Sequence, residues 1–298
     1  MPGSGKLSVC LLGYRHATYV DECVSSIWAG GHDNVEIVAL DDGSNDGTIE
    51  RLRELSAISP FPVKIMEQEN SGDIPGNFNR LLANATGEYV LFSSMDDMPM
   101  PGALGRMMEI ASMDEAAFVA HASAVTLRSD GRTEFEAFAP AIGASTAQKL
   151  LSAEYEYLHS FYIQGAIFRK AGLEAVGGFE SGMLGDDIVL RTKIFSWLKD
   201  NPAPFSVLEG PGCIYRRHDC NVSKDPVRQV KTGMQYLDRF WPGRPYPEIL
   251  RQWTLTALQE RPCAEVMPVF KFGKRGMELL KDAEIRERIQ EAEKRSCN

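Results

Sequence analysis

The sequence predicts an α/β protein with a mainly parallel sheet covered by helices on both faces, followed by a helical C-terminal extension. Three observations carry this. Short apolar runs alternate with amphipathic stretches through the first half of the chain; several of those runs end in acidic or turn-forming residues; and beyond Asp225 the apolar periodicity becomes wholly helical. With 298 residues, 44% hydrophobic and 24% charged, the chain has the makeup of one large domain plus an appendage, and disordered and fibrous classes are excluded.

Leu7 to Leu12 reads as a buried strand, and Tyr19 to Trp28 as a helix with Val20, Cys23, Val24 and Ile27 on one face. The alternation continues with a strand at Val35 to Leu40, a helix at Asp46 to Leu55, a strand at Val63 to Met66, a helix at Gly76 to Ala83 and a strand at Tyr89 to Phe92. After Pro101 a helix runs to Ala111, followed by two apolar segments, Ala116 to Ala120 and Ala122 to Leu127, and a turn at Ser129-Asp130-Gly131. Thr133 to Ser145 has weak periodicity and is expected to be an excursion at the domain edge. A strand is expected at Tyr162 to Arg169, a turn at Gly177-Gly178 and a helix from Asp186 to Leu198. Residues 1–225 form the main domain in this reading, and residues 226–298 a helical extension punctuated by Pro242, Pro245 and Pro247. In open parallel sheets ligands bind outside the carboxyl ends of the strands, so chemistry is sought there.

A net charge of -9 gives no general attraction to nucleic acid. Basic residues gather from Lys271 through Lys274, Arg275 and Lys281 to Arg295, interleaved with acids; a solvated helix face accounts for them, with a peripheral membrane contact as the alternative. No apolar run approaches the ~18 residues of a membrane span, and no secretory signal precedes the first strand. A cytoplasmic protein free of disulfides is therefore expected: Cys10, Cys23, Cys213, Cys220, Cys263 and Cys297 are scattered without a CxxC pair and are expected to be reduced. Gly3-Ser4-Gly5-Lys6 lacks the phosphate-loop spacing and precedes the first strand, and no GxGxxG follows that strand.

Two tandem acids end apolar strands. Asp41-Asp42 precede Gly43-Ser44-Asn45-Asp46-Gly47-Thr48, where they serve equally well as a helix cap or as acceptors for the N–H groups of a nucleotide base. Asp96-Asp97 end Tyr89-Val90-Leu91-Phe92-Ser93-Ser94-Met95, where they could decorate a helix N-terminus or hold a hard divalent cation such as Mg2+ or Mn2+. A cap explains neither the placement at a strand end nor its repetition.

Taken in order, Ser8-Val9-Cys10-Leu11-Leu12, Asp41 to Thr48, Asn70-Ser71-Gly72, Asn79, Ala85 to Val90, Met95-Asp96-Asp97, Gly165 to Lys170, Gly177 to Glu180, Gly185-Asp186-Asp187 and Tyr215-Arg216-Arg217-His218 resemble glycosyltransferase family 2. The resemblance spans residues 6–223 and implies inverting enzymes of the GT-A fold, built on a Rossmann-like sheet. It implies a donor nucleotide site with Leu12, Tyr14, Asp42, Gly72, Asn79 and Asp96, in which Asp42 contacts the uracil of a UDP-sugar. Metal ligation by Asp97 and His218 is implied, the first acid of the family's DxD-type motif being replaced by Ser94, although a lone His is also a common structural residue. Asp187 is implied as the general base, with Asp186 orienting it or binding acceptor hydroxyls.

The function so implied is transfer of a sugar from a nucleotide diphosphate donor to a hydroxyl of a glycan or glycolipid, in polysaccharide or glycoconjugate synthesis, with Mn2+ or Mg2+. Contact with the inner membrane face and homo-oligomer formation are compatible with it. Gly13-Tyr14-Arg15-His16 departs from the family's Pro-Thr-Tyr-Asn run, and Phe78 stands where an Arg often precedes the Asn. A nucleotidyltransferase would need a glycine-rich basic loop after the first strand. An inactive sugar-nucleotide-binding protein would have no use for Asp186 and Asp187.

Overall fold

The computed structural model describes residues 5–137, 146–158, 161–219, 221, 224–271 and 273–296. The N-terminal half runs β1 (Leu7–Gly13), α1 (Val20–Trp28), β2 (Val35–Asp41), α2 (Thr48–Ile58), β3 (Val63–Glu67), α3 (Ile74–Asn84) and β4 (Tyr89–Ser94). It continues through β5 (Met98–Pro99), α4 (Ala103–Met113), β6 (Phe118–Arg128), β7 (Thr133–Ala137), α5 (Ala147–Tyr157), β8 (Ile167–Arg169), α6 (Lys170–Ala175), α7 (Asp186–Asp200) and β9 (Ser206–Arg217). The helices α8 (Pro226–Phe240), α9 (Glu248–Glu260), α10 (Cys263–Val266), α11 (Gly273–Leu279) and α12 (Ala283–Ser296) follow.

One sheet has the order β3-β2-β1-β4-β8-β6-β9-β5, with β7 paired to β6. β1 lies between β2 and β4, parallel to both, and its Leu12 stands opposite Leu40 and Ser94. This register aligns the two strand ends, so the acids after β2 and β4 emerge on one edge. The central strands are apolar on both faces because both faces are covered. Val20, Cys23 and Ile27 of α1 and Met107 of α4 join the core on one side; Phe78, Leu81, Leu190 and Phe195 of α3 and α7 fill the other. The C-terminal helices form a third core that takes in Leu158, Met183, Ile188 and Val189.

The second half departs from expectation in several places. The two apolar segments after α4 are one strand, β6, whose register against β9 shifts around Ser123. The expected excursion begins as β7, hairpinned to β6, and its residues 138–145 lie outside the described residues. The expected strand at Tyr162 to Arg169 shortens to β8, because Gly165 adopts a left-handed φ of 79° where a Cβ would stand 2.8 Å from the Cys213 Cβ. Only Gln164 of the preceding stretch bridges to Phe92. β9 escapes sequence reading because Gly210, Pro211 and Gly212 interrupt its alternation.

α5 also goes unrecognised, and it carries a buried acid. Glu154 and Arg191 of α7 are paired at 2.8 Å, with side chains 0% and 1% exposed, and Arg191 also donates to the Phe161 carbonyl at 2.5 Å. Removing one partner of a buried pair strands the other charge. Glu154→Ala is therefore expected to destabilise the protein by about 3–5 kcal/mol in denaturant unfolding; a change below about 1 kcal/mol would show that Arg191 finds other partners.

No helix among the described residues is long and apolar enough to cross a membrane. Within the C-terminal basic cluster, Arg275 is buried and donates to the carbonyls of Arg244, Leu237 and Trp241, so it ties helices together and does not face solvent. Cys10, Cys23, Cys213 and Cys263 are free and buried, while Cys220 and Cys297 lie outside the described residues, as do residues 1–4 of the N-terminal glycine stretch.

Candidate active site

The turn after β2 builds an acceptor site around Asp42. Its Oδ1 accepts from the Ser71 N–H at 2.9 Å, the Ser71 hydroxyl at 3.1 Å and the Gln68 amide, and its Oδ2 accepts from the Gly72 N–H at 3.3 Å. Burial opposes ionisation of Asp42, but these bonds prevail and hold its carboxyl below the ordinary value. Asp41 accepts the Ser44 N–H at 2.8 Å and shapes the turn. Beside it, Leu12 is the last residue but one of β1 and Tyr14 is 40% exposed under the Arg15 guanidinium. Gly13 leaves room for Met95, whose Sδ would lie 2.3 Å from a Cβ there, so the end of β1 packs directly on the second acidic turn.

That second turn holds a cluster. Asp96 Oδ2 bonds His218 Nε2 at 2.9 Å and lies 3.8 Å from His16 Nε2, and ligand atoms of the three residues all fall within 4.8 Å of one another. Among the described residues, Asp96 Oδ1 and His16 Nδ1 are buried without hydrogen-bond partners. Burial disfavours the Asp96 carboxylate, yet the bond with His218 and the His16 charge keep its pKa below the ordinary value. The His16 pKa is lowered, chiefly by burial, which favours the neutral imidazole that a metal requires. Tyr19 stacks on His218 with centroids 4.9 Å apart and fixes the ring. One ionised carboxylate, two imidazoles and two orphaned buried atoms fit a divalent cation that accepts both nitrogen and oxygen, a description that suits Mn2+ better than Mg2+.

Facing this edge, α7 begins with Asp186 and Asp187. Asp187 Oδ2 accepts long bonds, both 3.4 Å, from the Ile163 N–H and Arg191 Nη1, while Oδ1 is buried and unpartnered. Burial first, and the Asp186 charge second, push the Asp187 carboxyl up to about 8. Asp186 is raised as well, by burial. The Asp187 charge also bears on Asp97, placing the two acidic motifs in electrostatic reach of each other.

Two residues expected at the site point elsewhere. Asp97 does not join the cluster: its Oδ1 accepts the Arg216 N–H at 3.0 Å, and burial together with the neighbouring Asp96 raises its pKa well above the carboxylate range. The turn at Met95–Asp96 after β4 directs Asp96 to the imidazoles, while Asp97 turns back to the β9 backbone. Asn79 is engaged in bracing the turn before α7, donating to the Phe179 carbonyl at 2.9 Å and accepting its N–H at 2.8 Å. His16 goes unrecognised as a cluster member because its loop departs from the family pattern. Its signal is the departure itself, with Arg15 at φ 58° where an Asn would adopt a left-handed backbone more readily.

Comparison with known proteins gives a match of residues 8–175 to the family model described as glycosyl transferase family 2. An uncharacterized glycosyltransferase of Nostoc sp. is 35% identical over 116 residues, covering 39% of this chain and 36% of the relative. The putative teichuronic acid biosynthesis glycosyltransferase TuaG of Bacillus subtilis is 30% identical over 112 residues, covering 38% and 44%. The matched stretch thus spans less than half the length of these relatives. Among solved structures, S. aureus TarS 1-349 in complex with UDP-GlcNAc superposes with TM-score 0.62 at 16% identity, over 96% of this chain and 89% of that one. The mannosyltransferase of Pyrobaculum calidifontis in complex with GDP-Man and Mn2+ gives TM-score 0.58 at 16% identity, over 97% and 84%. At such identity these structures speak to the fold alone.

Proposed function

The chain belongs to glycosyl transferase family 2 and has a GT-A-like fold, and on that premise we propose that it transfers a sugar from a UDP-sugar to a hydroxyl of a glycan or glycolipid, with inversion, in polysaccharide synthesis. The observation that carries this is the placement of three groups around one sheet edge: the ionised Asp42, the His16–Asp96–His218 cluster and the base candidate Asp187. Asp42 would accept the imide N–H of uracil, with Leu12, Tyr14 and Gly72 framing the base. A divalent cation held by Asp96, His16 and His218 would stabilise the charge on the departing diphosphate. Asp187 would remove the acceptor proton as the acceptor oxygen bonds to the anomeric carbon and the bond to the diphosphate oxygen breaks. Attack opposite the leaving group inverts the anomeric configuration.

Residues 1–225 form the catalytic unit in this reading, and residues 226–298 a helical extension packed beside the start of α7. Uridine donors are favoured by the acid at Asp42 and by the UDP-GlcNAc bound in the similar fold of TarS, and the Mn2+ bound with GDP-Man in the Pyrobaculum calidifontis mannosyltransferase supports a cation at the diphosphate. The test is hydrolysis of a panel of nucleotide sugars by the full chain, with Mn2+ and with chelator. Cleavage of a UDP-sugar that stops with chelator is expected. Binding without cleavage would leave a sugar-nucleotide-binding protein, and metal-independent cleavage would remove the cation from the account.

A further inference from the structure

A cavity of ≈ 400 Å³ opens between the loop preceding α7 and the first turns of α8, lined by Gly182, Leu184, Asp225, Arg228, Lys231 and Gln235. Its lining reaches Leu184, two residues before Asp186. Gly185 packs so tightly on α8 that a Cβ there would stand 2.7 Å from Thr232 Cγ2, and the Arg228 charge acts on Asp186, favouring its ionised form. Gln235 locks the two walls together, accepting the Leu184 N–H at 2.8 Å and donating to the Gly182 carbonyl at 3.1 Å.

The charges in this cavity are unbalanced. Arg228 and Lys231 lie three residues apart on α8, on one face, and both are half-buried. Neither forms a salt bridge or hydrogen bond among the described residues. The acid in the lining is already engaged, since Asp225 caps α8 by accepting the Val227 N–H at 3.0 Å and lies 4.0 Å from Arg261. Two half-buried cations side by side, with no hydrogen bond or salt bridge among the described residues and only the more distant charge of Asp186 acting on Arg228, are stabilised by an anion that binds between them. The donor's own diphosphate is assigned to the other side of the site, at Asp96.

We propose that this cavity is the subsite for an anionic group, phosphate or carboxylate, carried by the acceptor close to the hydroxyl that receives the sugar. The inference rests on the glycosyltransferase reading and narrows its acceptor class. Arg228 and Lys231 grip the anion, and the short path from Gly185 to Asp187 sets the hydroxyl within reach of the base. The anion can belong to a lipid phosphate headgroup or to a phosphorylated or acidic glycan.

The test uses the full chain in two titrations. UDP with Mn2+ is titrated first, in the absence of other ligands, and the UDP-saturated protein is then titrated with glucose 6-phosphate, decyl phosphate and glucose. The expected result is binding of at least one phosphate and no binding of glucose, with Arg228→Gln/Lys231→Gln weakening the phosphate about 10-fold or more. The charge-preserving Arg228→Lys/Lys231→Arg is expected to retain binding, which separates lost charge from lost folding. Preference for glucose 6-phosphate points to a glycan-borne anion and preference for decyl phosphate to a lipid-borne one; either supports the subsite. Equal phosphate affinity in wild type and the Gln variant, or UDP binding with no phosphate binding, overturns it. Failure to bind UDP in the first titration overturns the UDP-sugar reading and the subsite argued from it.

Discussion

Asp187→Asn is expected to lower sugar transfer by about 100-fold or more while leaving UDP affinity intact, because Asn keeps the size of Asp but cannot accept the acceptor's proton. Asp42 and the His16–Asp96–His218 cluster lie after other strands and would still hold the donor. Asp186→Asn should cost less, since that residue orients the reaction in this account. The Asp187 carboxyl stands at about 8, raised by burial and then by Asp186, so the free enzyme carries a protonated base over much of the neutral range. Transfer measured as kcat/KM is accordingly expected to climb with pH and level off above about 8, and the residual activity of Asp187→Asn should lack that limb.

The same shift has a sign for stability. Between the ordinary value of 3.8 and about 8 the folded chain holds a proton that the unfolded chain releases, so this group's contribution to stability falls as pH rises through that window. Asp187→Asn should therefore melt higher than wild type at pH 8. Wild-type transfer rates in Asp187→Asn, with loss in Asp186→Asn, would assign the base to the other acid; no loss in either would remove the proposed mechanism.

Asp96→Asn is the second large effect. It removes the one ionised carboxylate of the cluster and leaves only the two imidazoles, which hold a hard cation weakly. Transfer should fall by roughly 100-fold or more, since cation stabilisation of a leaving diphosphate amounts to several kcal/mol. UDP affinity should become the same with Mn2+ as with chelator. Asp97→Asn offers the contrast: its carboxyl is buried against the Arg216 N–H, so the dependence of UDP affinity on Mn2+ should persist. The reverse pattern would place the ligand at Asp97 and refute the cluster.

β1, β2 and β4 are legible because they are buried on both faces and read as mainly apolar runs, and β3, at the sheet edge and only partly buried, is legible from Val63, Ile65 and Met66. The later elements are not. β6 and β9 pair through a bulge, β9 carries Gly210-Pro211-Gly212, and α5 turns only Leu150, Leu151 and Glu154 inward. The tandem acids announce themselves by position at strand ends, but which acid of the second pair meets the imidazoles is decided by how the chain leaves β4. Pairings such as Glu154 with Arg191, or the approach of Arg228 to Asp186, join segments remote in sequence and have no local pattern to betray them.

Cleavage of a UDP-sugar by single displacement fixes the anomer that is released. The direct measurement is proton NMR of the donor-hydrolysis reaction in its first minutes, before the released sugar mutarotates, with the full chain and Mn2+. An α-linked UDP-sugar is predicted to yield UDP and the β-anomer of the free sugar, with no cleavage in chelator. Initial release of the α-anomer, or no cleavage of any UDP-sugar under these conditions, would contradict it.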